Sequence, residues 1–569
     1  MTDQLLNTPS RHGFSVSGLI DATWHRVSET ALTTTKAWTW RIAQAAALSF
    51  LKKITVGQLR VITSDGTVYV FPEHLAPSSK DSSPLTSPYP GEHDSGSSSP
   101  TPFGSSTSTT LESECPTRSA SPRLGSKHAP LAEFRVLNDA FWIRLCLMSD
   151  LGFAEAYMYG EVECKNLVAL FELFLANKEY LSSNLDTRLS YLFTTLPQKI
   201  TSYRFLNTLG NAQSNISAHY DISNDMFAGF LSPDMTYSCG IFEDLDGDLV
   251  HGRVSSKVSS LSRELATHLK HFVHPDDISK GPKSSPRPDE HASHDALHAS
   301  QLRKLDHVIE KAHILPGQRI LEIGSGWGSM AIRIAQTVPS IGKIDTLTLS
   351  LQQQTLARER IRAVGLEGKI EVHLMDYRAM PKNWEGVFDR VISIEMIEAV
   401  GKEFLEAYWK TVDWALKKEN AVGVVQVITL PEARLDKYMA ELDFIRKWVF
   451  PGGFLPTLTM LIQTLCAGSQ GRLVVDSVSN IGPHYSRTLR EWRSRFEDRF
   501  EEVIVPALEQ EYPEVMRGEN GRKEVEVFKR KWIYYYCYCE IGFTTRTLGD
   551  HIITFSREGY QDYGCNVYA

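Results

Sequence analysis

The chain has 569 residues, 42% of them hydrophobic, which exceeds one ordinary domain and is enough to fill at least one large core. Its 60 basic and 68 acidic residues leave a net charge of -8, which excludes the overall basic field that gathers nucleic acid. Eight scattered cysteines show neither the paired spacing of a zinc site nor the density of a disulfide scaffold, so a reducing, cytoplasmic setting is expected.

Taken in chain order, the polar start from Met1 to Ser10, followed by Arg11 and His12, lacks the apolar core of a secretory signal. No uninterrupted run reaches the roughly 20 apolar residues that cross a bilayer. Ala37 to Leu51 reads as a helix, interrupted by Arg41 and Gln44 and carrying Trp38 and Trp40 near one end. That pattern suits a helix lying on a membrane surface, or one packed on its own domain. Gln58 to Phe71 alternates apolar and polar residues around Ser64-Asp65-Gly66 and predicts a β-hairpin.

The stretch from about Ala76 to Pro130 is crowded with Ser, Pro, Thr and Gly, buries too little to offset its ordering entropy, and is expected to be a disordered insertion. After it, FRVL predicts a strand, and Leu167, Leu170, Phe171 and Phe174 follow helical spacing. These pieces form a small α+β N-terminal domain, assigned to residues 1–205, with a second domain over 206–569. Asp276 to His294 predicts a loop insertion in that second domain. His291, His294 and His298 have no companion ligand cluster, and no metal is expected.

From about Ile314 short apolar runs alternate with helical stretches. The runs are Arg319 to Ile323, Ile344 to Leu349, Ile370 to Leu374, Phe388 to Ile394 and Ala421 to Ile428. Such runs suit a parallel sheet covered on both faces, so this half is expected to be a doubly wound, Rossmann-like α/β domain. The first run ends in LEIGSGWG and a helix follows. Glycines at that turn let the backbone approach a ligand at the carboxyl edge of the sheet. Because the spacing is G-x-G-x-G rather than G-x-G-x-x-G, the turn suits a phosphate-free nucleoside such as S-adenosylmethionine (SAM) better than a dinucleotide. Glu322 can neutralise the cationic methionine end. The second strand ends in Thr348, Gln352 and Gln353, without the usual carboxylate for ribose hydroxyls.

The segment His219-Tyr220-Asp221-Ile222-Ser223-Asn224-Asp225, running to Met235-Thr236-Tyr237-Ser238-Cys239-Gly240, resembles the signature of cyclopropane fatty acid synthases and mycolic acid cyclopropane synthases. The likeness extends through LEIGSGWG, TLSLQQ, Met375-Asp376-Tyr377-Arg378, Glu395-Met396-Ile397-Glu398-Ala399-Val400-Gly401 and Phe450-Pro451-Gly452-Gly453, and on to Tyr485. The N-terminal Gly152-Phe153-Ala154-Glu155-Ala156-Tyr157-Met158-Tyr159-Gly160 is similar to that of the phospholipid-acting, eukaryotic type.

The resemblance implies a class I methyltransferase domain whose cofactor meets Tyr237, Ser238, Glu322, Gly324, Gly326, Trp327, Gly328, Thr348 and Gln353, with Asp376 and Tyr377 bordering the adenine. It also implies an active-site bicarbonate near Cys239, Glu398, Tyr485 and the backbone of Ile428, with Gln426 standing where the family usually has histidine. The implied reaction adds a one-carbon unit to the double bond of an unsaturated phospholipid, with peripheral membrane contact and a homodimer among the expected assemblies.

An alkene is a poor nucleophile, so positioning must supply rate, and the cation formed on the acyl chain needs a dry, aromatic-lined cleft. Tyr220, Phe227, Tyr237, Trp327 and Phe454 are candidate walls, and Phe444 to Leu465 is a candidate acyl channel or an ordinary core segment. Cys239 is expected to pack rather than to attack. His219 and Asp221 read as a turn, and Trp532 to Tyr538 as a core helix. The alternatives are another lipid acceptor, such as a sphingolipid, a methyl-branched product, or a non-catalytic lipid-binding protein.

Overall fold

The structure, a computed structural model, describes residues 37–73, 130–182, 223–250 and 295–561. His219 to Ile222, Tyr220 among them, the 276–294 loop with His291 and His294, most of the 76–130 segment, and the boundary drawn at residue 205 lie outside the described residues.

A four-stranded sheet carries the first part. The hairpin forms as expected, with β1 (Gln58–Ile62) antiparallel to β2 (Val68–Phe71) and Leu59 facing Phe71. In β3 (Leu131–Val136) residues alternate between exposed and buried, the period of a half-covered strand, and it lies parallel to β1. β4 (Val162–Glu163) completes the order β2-β1-β3-β4. The Ala37–Leu51 helix buries Ala47, Leu48 and Leu51 and packs against the Ala140–Met158 helix, while Ile42 stays exposed. Its apolar stripe is therefore used within the fold. The Ala140–Met158 helix breaks at Ser149, where φ is 53°.

The second sheet has seven strands in the order β10-β11-β9-β8-β5-β6-β7. β5 (Arg319–Ile323), β6 (Lys343–Thr348), β7 (Ile370–Leu374), β8 (Arg390–Ile394) and β9 (Val422–Thr429) are parallel and coincide with the five apolar runs. β10 (Leu473–Asn480) and β11 (Gly549–Arg557) add an antiparallel end, with β11 inserted between β9 and β10. Side chains alternate between two layers, Ile320 and Ile344 into one and Leu321, Ile323 and Leu347 into the other. The fold is a Rossmann-like α/β domain with a smaller α+β unit.

One hydrophobic cluster runs without a break from Leu59, Phe134 and Phe153 of the small sheet to Phe230, Trp532 and Ile320 of the large one. The aromatic run expected as core lies in the Gly521–Thr544 helix and is mostly buried. From that helix Arg530 donates to the backbone carbonyls of Tyr157 (3.0 Å) and Val162 (3.3 Å). Arg144 and Lys447 both reach Glu155, and the Trp448 indole N–H donates to it at 3.2 Å. No helix among the described residues is long and apolar enough to cross a membrane.

Candidate active site

β5 delivers the chain into a turn in which Gly324, Gly326 and Gly328 have φ values of 102°, 48° and 87°, a region that side chains disfavour. The amides of Gly324 and Ser325 donate to the Leu347 carbonyl at 3.0 and 2.8 Å, which holds the turn against β6. A Cβ on Gly324 would approach Met396 to 3.2 Å. Trp327 is buried, with its ring 5.0 Å from that of Phe227. Gly328 faces the Ala357 side chain and not the cavity, so its part is to admit the helix behind it.

Around this turn lies a cavity of about 1480 Å³, larger than the ~300–1,000 Å³ typical of a pocket for one small ligand. Tyr237, Ser238, Glu322, Gly324, Gly326, Trp327, Thr348, Gln353, Asp376 and Tyr377 all line it. Several of these side chains are already held by neighbours. The Thr348 hydroxyl donates to Gln353 Oε1 at 2.7 Å, Lys304 donates to the Ser238 hydroxyl at 2.7 Å, and the Tyr237 and Tyr535 hydroxyls meet at 3.1 Å. Asp376 is gripped by the Arg378 guanidinium at 2.8 and 2.7 Å. Glu322 differs from them. Its Oε2 is buried without a partner among the described residues, and burial pushes its carboxyl up to about 8.

The far end of the cavity is apolar and comes from the small sheet's helices, with Phe50, Leu145, Leu151, Phe171 and Leu175 on its wall. Ile445, Phe450 and Leu455 line it from the other side, whereas Leu461 and Leu465 are buried in the core, so the stretch expected as a channel divides between the two roles. Phe227 and Phe454 do not line the cavity. Phe227 belongs to the aromatic cluster behind Trp327, and the Phe454 amide donates to the Glu398 carbonyl at 2.8 Å. Tyr438, Tyr535 and Tyr538 are the aromatic walls that sequence reasoning missed.

Glu395, Glu398 and Tyr485 bring an acidic cluster to the wall of the same cavity. Glu398 Oε1 accepts from the Ile428 amide at 2.6 Å and its Oε2 has no partner among the described residues. Burial, and then the charge of Glu395, push the Glu398 carboxyl up to about 8. Tyr485 donates to Glu395 Oε2 at 2.6 Å, and the Cys239 amide and Gln426 Nε2 donate to Glu395 Oε1 at 2.9 and 2.8 Å. Gln426 Nε2 also donates to Asp550 Oδ2 at 2.8 Å. Burial and the charge of Glu395 push Asp550 well up, and burial pushes Glu395 up as well. Burial raises the Cys239 thiol well above its usual range, which leaves Cys239 a packing and backbone-donor role rather than a nucleophile's.

The structure thus brings Cys239, Glu398, Gln426, Ile428 and Tyr485 together, but around carboxyl groups of the chain itself. Every donor that the resemblance assigns to bicarbonate is engaged, three by Glu395 and one by Glu398. A further anion would sit among Glu395, Glu398 and Asp550, with Lys304 as the buried cation opposing them. The residues present do not fit bicarbonate. Glu395 was legible only as part of a motif, and neither Lys304 nor Asp550 carries a local signal: one is a lysine in an ordinary amphipathic helix, the other opens a late strand.

Residues 208–267 and 290–549 match the family described as mycolic acid cyclopropane synthetase. The tuberculostearic acid methyltransferase of Mycobacterium tuberculosis is 32% identical over 421 residues, 74% of this chain and 82% of the relative. The cyclopropane-fatty-acyl-phospholipid synthase of Escherichia coli is 28% identical over 431 residues, 75% of this chain and 88% of its own. The solved structure of mycolic acid cyclopropane synthase CmaA1 complexed with SAH and CTAB covers 61% of this chain and 98% of its own, at 22% identity and a TM-score of 0.44. With its glycine turn, acidic cluster and seven-stranded sheet, the chain belongs to the mycolic acid cyclopropane synthetase family and is a methyltransferase of the cyclopropane-fatty-acyl-phospholipid synthase kind.

Proposed function

We propose that the enzyme transfers a one-carbon unit from SAM to the cis double bond of an unsaturated acyl chain on a membrane phospholipid, giving a cyclopropane fatty acyl chain. The observation that carries this reading is one cavity lined by the glycine turn, by the apolar residues of the small sheet's helices, and by Glu395, Glu398 and Tyr485 of the acidic cluster. SAM supplies an electrophilic methyl on a positively charged sulfur. Glu322, with its free buried oxygen, suits the cationic amino-acid end of that molecule. Gly324 and Gly326 admit its backbone-facing edge, Trp327 and Tyr237 close over it, Thr348 and Gln353 stand where the ribose hydroxyls would lie, and Asp376 and Tyr377 border the adenine.

The acyl chain enters along Leu145, Leu151, Phe171 and Leu175. At about 0.8 kcal/mol per buried methylene, ten methylenes offer about 8 kcal/mol before ordering costs, more than a headgroup contact gives. Held there, the double bond attacks the methyl carbon, the carbon–sulfur bond breaks with its electrons on sulfur, and a cation forms on the neighbouring chain carbon. Tyr237, Tyr485 and Tyr535 line the cavity and are the rings that would stabilise that cation, while the apolar wall offers water few partners. Loss of a proton from the new methyl closes the ring.

A second reading, a methylene or methyl-branched product, is favoured by the name of the 32% identical relative, tuberculostearic acid methyltransferase. Membrane contact at the cytoplasmic face and a homodimer are compatible with both readings. The deciding experiment supplies methyl-labelled SAM and mixed unsaturated phospholipid vesicles and identifies the labelled acyl chain by mass spectrometry. A label found only in water-soluble products would refute both readings.

A further inference from the structure

Three donors converge on one side chain to which the family likeness assigns no role. Glu395 follows β8 with φ at 47°, a left-handed conformation for a residue with a Cβ, and its amide is held by the Gln426 carbonyl at 2.8 Å. A strained, side-chain-bearing residue is kept at such a position when the side chain is needed there. Its carboxyl takes the Cys239 amide, the Gln426 amide and the Tyr485 hydroxyl and lies in hydrogen-bond reach of the Asp550 carboxyl, and the residue borders the cavity.

We propose that the Glu395 carboxylate is the base that removes the proton from the reacting one-carbon unit, doing internally what a bound bicarbonate would do. The proposal rests on the transfer reading above. In the step, the C–H electron pair becomes the new carbon–carbon bond of the ring or, after a 1,2-hydride shift has moved the cation to the methyl-bearing carbon, the double bond of a methylene product. The proton goes to a Glu395 oxygen, and from there to solvent when the product leaves.

The neighbouring acids are less suited. Asp550 does not border the cavity. Glu398 does, and its Oε2 is unpartnered among the described residues, but burial and the charge of Glu395 push its carboxyl up to about 8, so at neutral pH it mostly carries its proton. The departure at Gln426 has the same explanation. One amide NH2 gives a hydrogen to Glu395 and a hydrogen to Asp550, both at 2.8 Å, whereas a neutral imidazole has one N–H to give. Glutamine at 426 and glutamate at 395 are therefore one arrangement.

The test compares wild type, Glu395→Gln and Glu395→Gly, using methyl-labelled SAM and unsaturated phospholipid vesicles in carbon-dioxide-depleted buffer with and without millimolar bicarbonate. Glycine suits φ at 47° and vacates the carboxyl's space, and calorimetric affinity for the demethylated cofactor reports whether each variant is folded. Wild-type turnover is expected to be the same in both buffers. Glu395→Gln is expected to lose about 100-fold or more in turnover while cofactor affinity stays within a few fold. Glu395→Gly is expected to be inactive in depleted buffer and to recover on adding bicarbonate. Wild-type turnover that collapses without bicarbonate, or a Glu395→Gln enzyme that keeps its rate, overturns this proposal alone. A wild type that labels no lipid at all refutes the transfer reading, and this proposal with it.

Discussion

The indole N–H of Trp327 donates to the side-chain oxygen of Asn224 across 2.7 Å, tying the glycine turn to the short Asn224–Ala228 helix. This bond fastens the segment ahead of Tyr237 onto the cofactor site. Replacing Asn224 with Leu removes the acceptor from a buried donor, a change that costs about 1–3 kcal/mol. Affinity for the demethylated cofactor is expected to fall about tenfold by calorimetry. An unchanged affinity would mean that the two segments are independent.

Glu322 links cofactor binding to pH. Its folded value of about 8 lies above that of an exposed carboxyl, so its contribution to stability is complete below about pH 4.5 and is lost as pH rises through 8. Without cofactor, stability is expected to fall from pH 5 to pH 8 by on the order of a few kcal/mol, read as a declining melting temperature, and Glu322→Gln should reduce that slope. A cationic ligand draws the proton off. SAM binding at pH 7 should then release protons and tighten toward pH 8, visible as binding heats that differ between buffers of different ionisation enthalpy.

Leu145 lies on the apolar wall, away from the glycine turn. Leu145→Trp should shorten the space for the acyl chain by about two methylenes, worth about 0.8 kcal/mol each. Turnover on long chains is expected to drop about tenfold and shorter chains to be preferred, with cofactor affinity unchanged. A loss of cofactor affinity would show that the wall and the turn do not serve separate ligands.

Glu155 is buried, yet Lys447 and Arg144 outweigh that burial and hold its carboxyl below the usual range. Glu155→Ala leaves Arg144 with Glu161 and frees the segment that carries Ile445 and Phe450. Removing one partner of a buried pair costs about 3–5 kcal/mol, so a clear fall in melting temperature and a rise in KM for lipid are expected. Retention of both would show that the ion cluster does not hold this segment in place.

The five parallel strands were legible because a strand covered on both faces must be largely apolar, as β5 is apart from Arg319 and Glu322 and β9 apart from Gln426 and Thr429. β10 and β11 were missed for the opposite reason. β10 is an edge strand whose Asp476, Ser477 and Ser479 interrupt the run, and β11 buries Asp550, Thr554 and Ser556 among apolar residues, which blurs the pattern. The glycine turn could be read because close backbone approach constrains residue type locally. The placement of Glu395 could not, because it depends on a left-handed backbone and on Gln426, Tyr485 and Asp550, which the fold gathers from distant segments. Phe227 and Phe454 were chosen as walls from motif position alone, and only packing reveals which ring faces inward.

Because one uninterrupted core spans both sheets, and Arg530 caps carbonyls of the small unit from a helix of the large one, the acyl-holding part is not a detachable module. Denaturant should melt the lipid wall and the cofactor site in a single cooperative event. Grafting the first 205 residues onto another transferase would carry away half of an interior, not a finished lipid-binding piece.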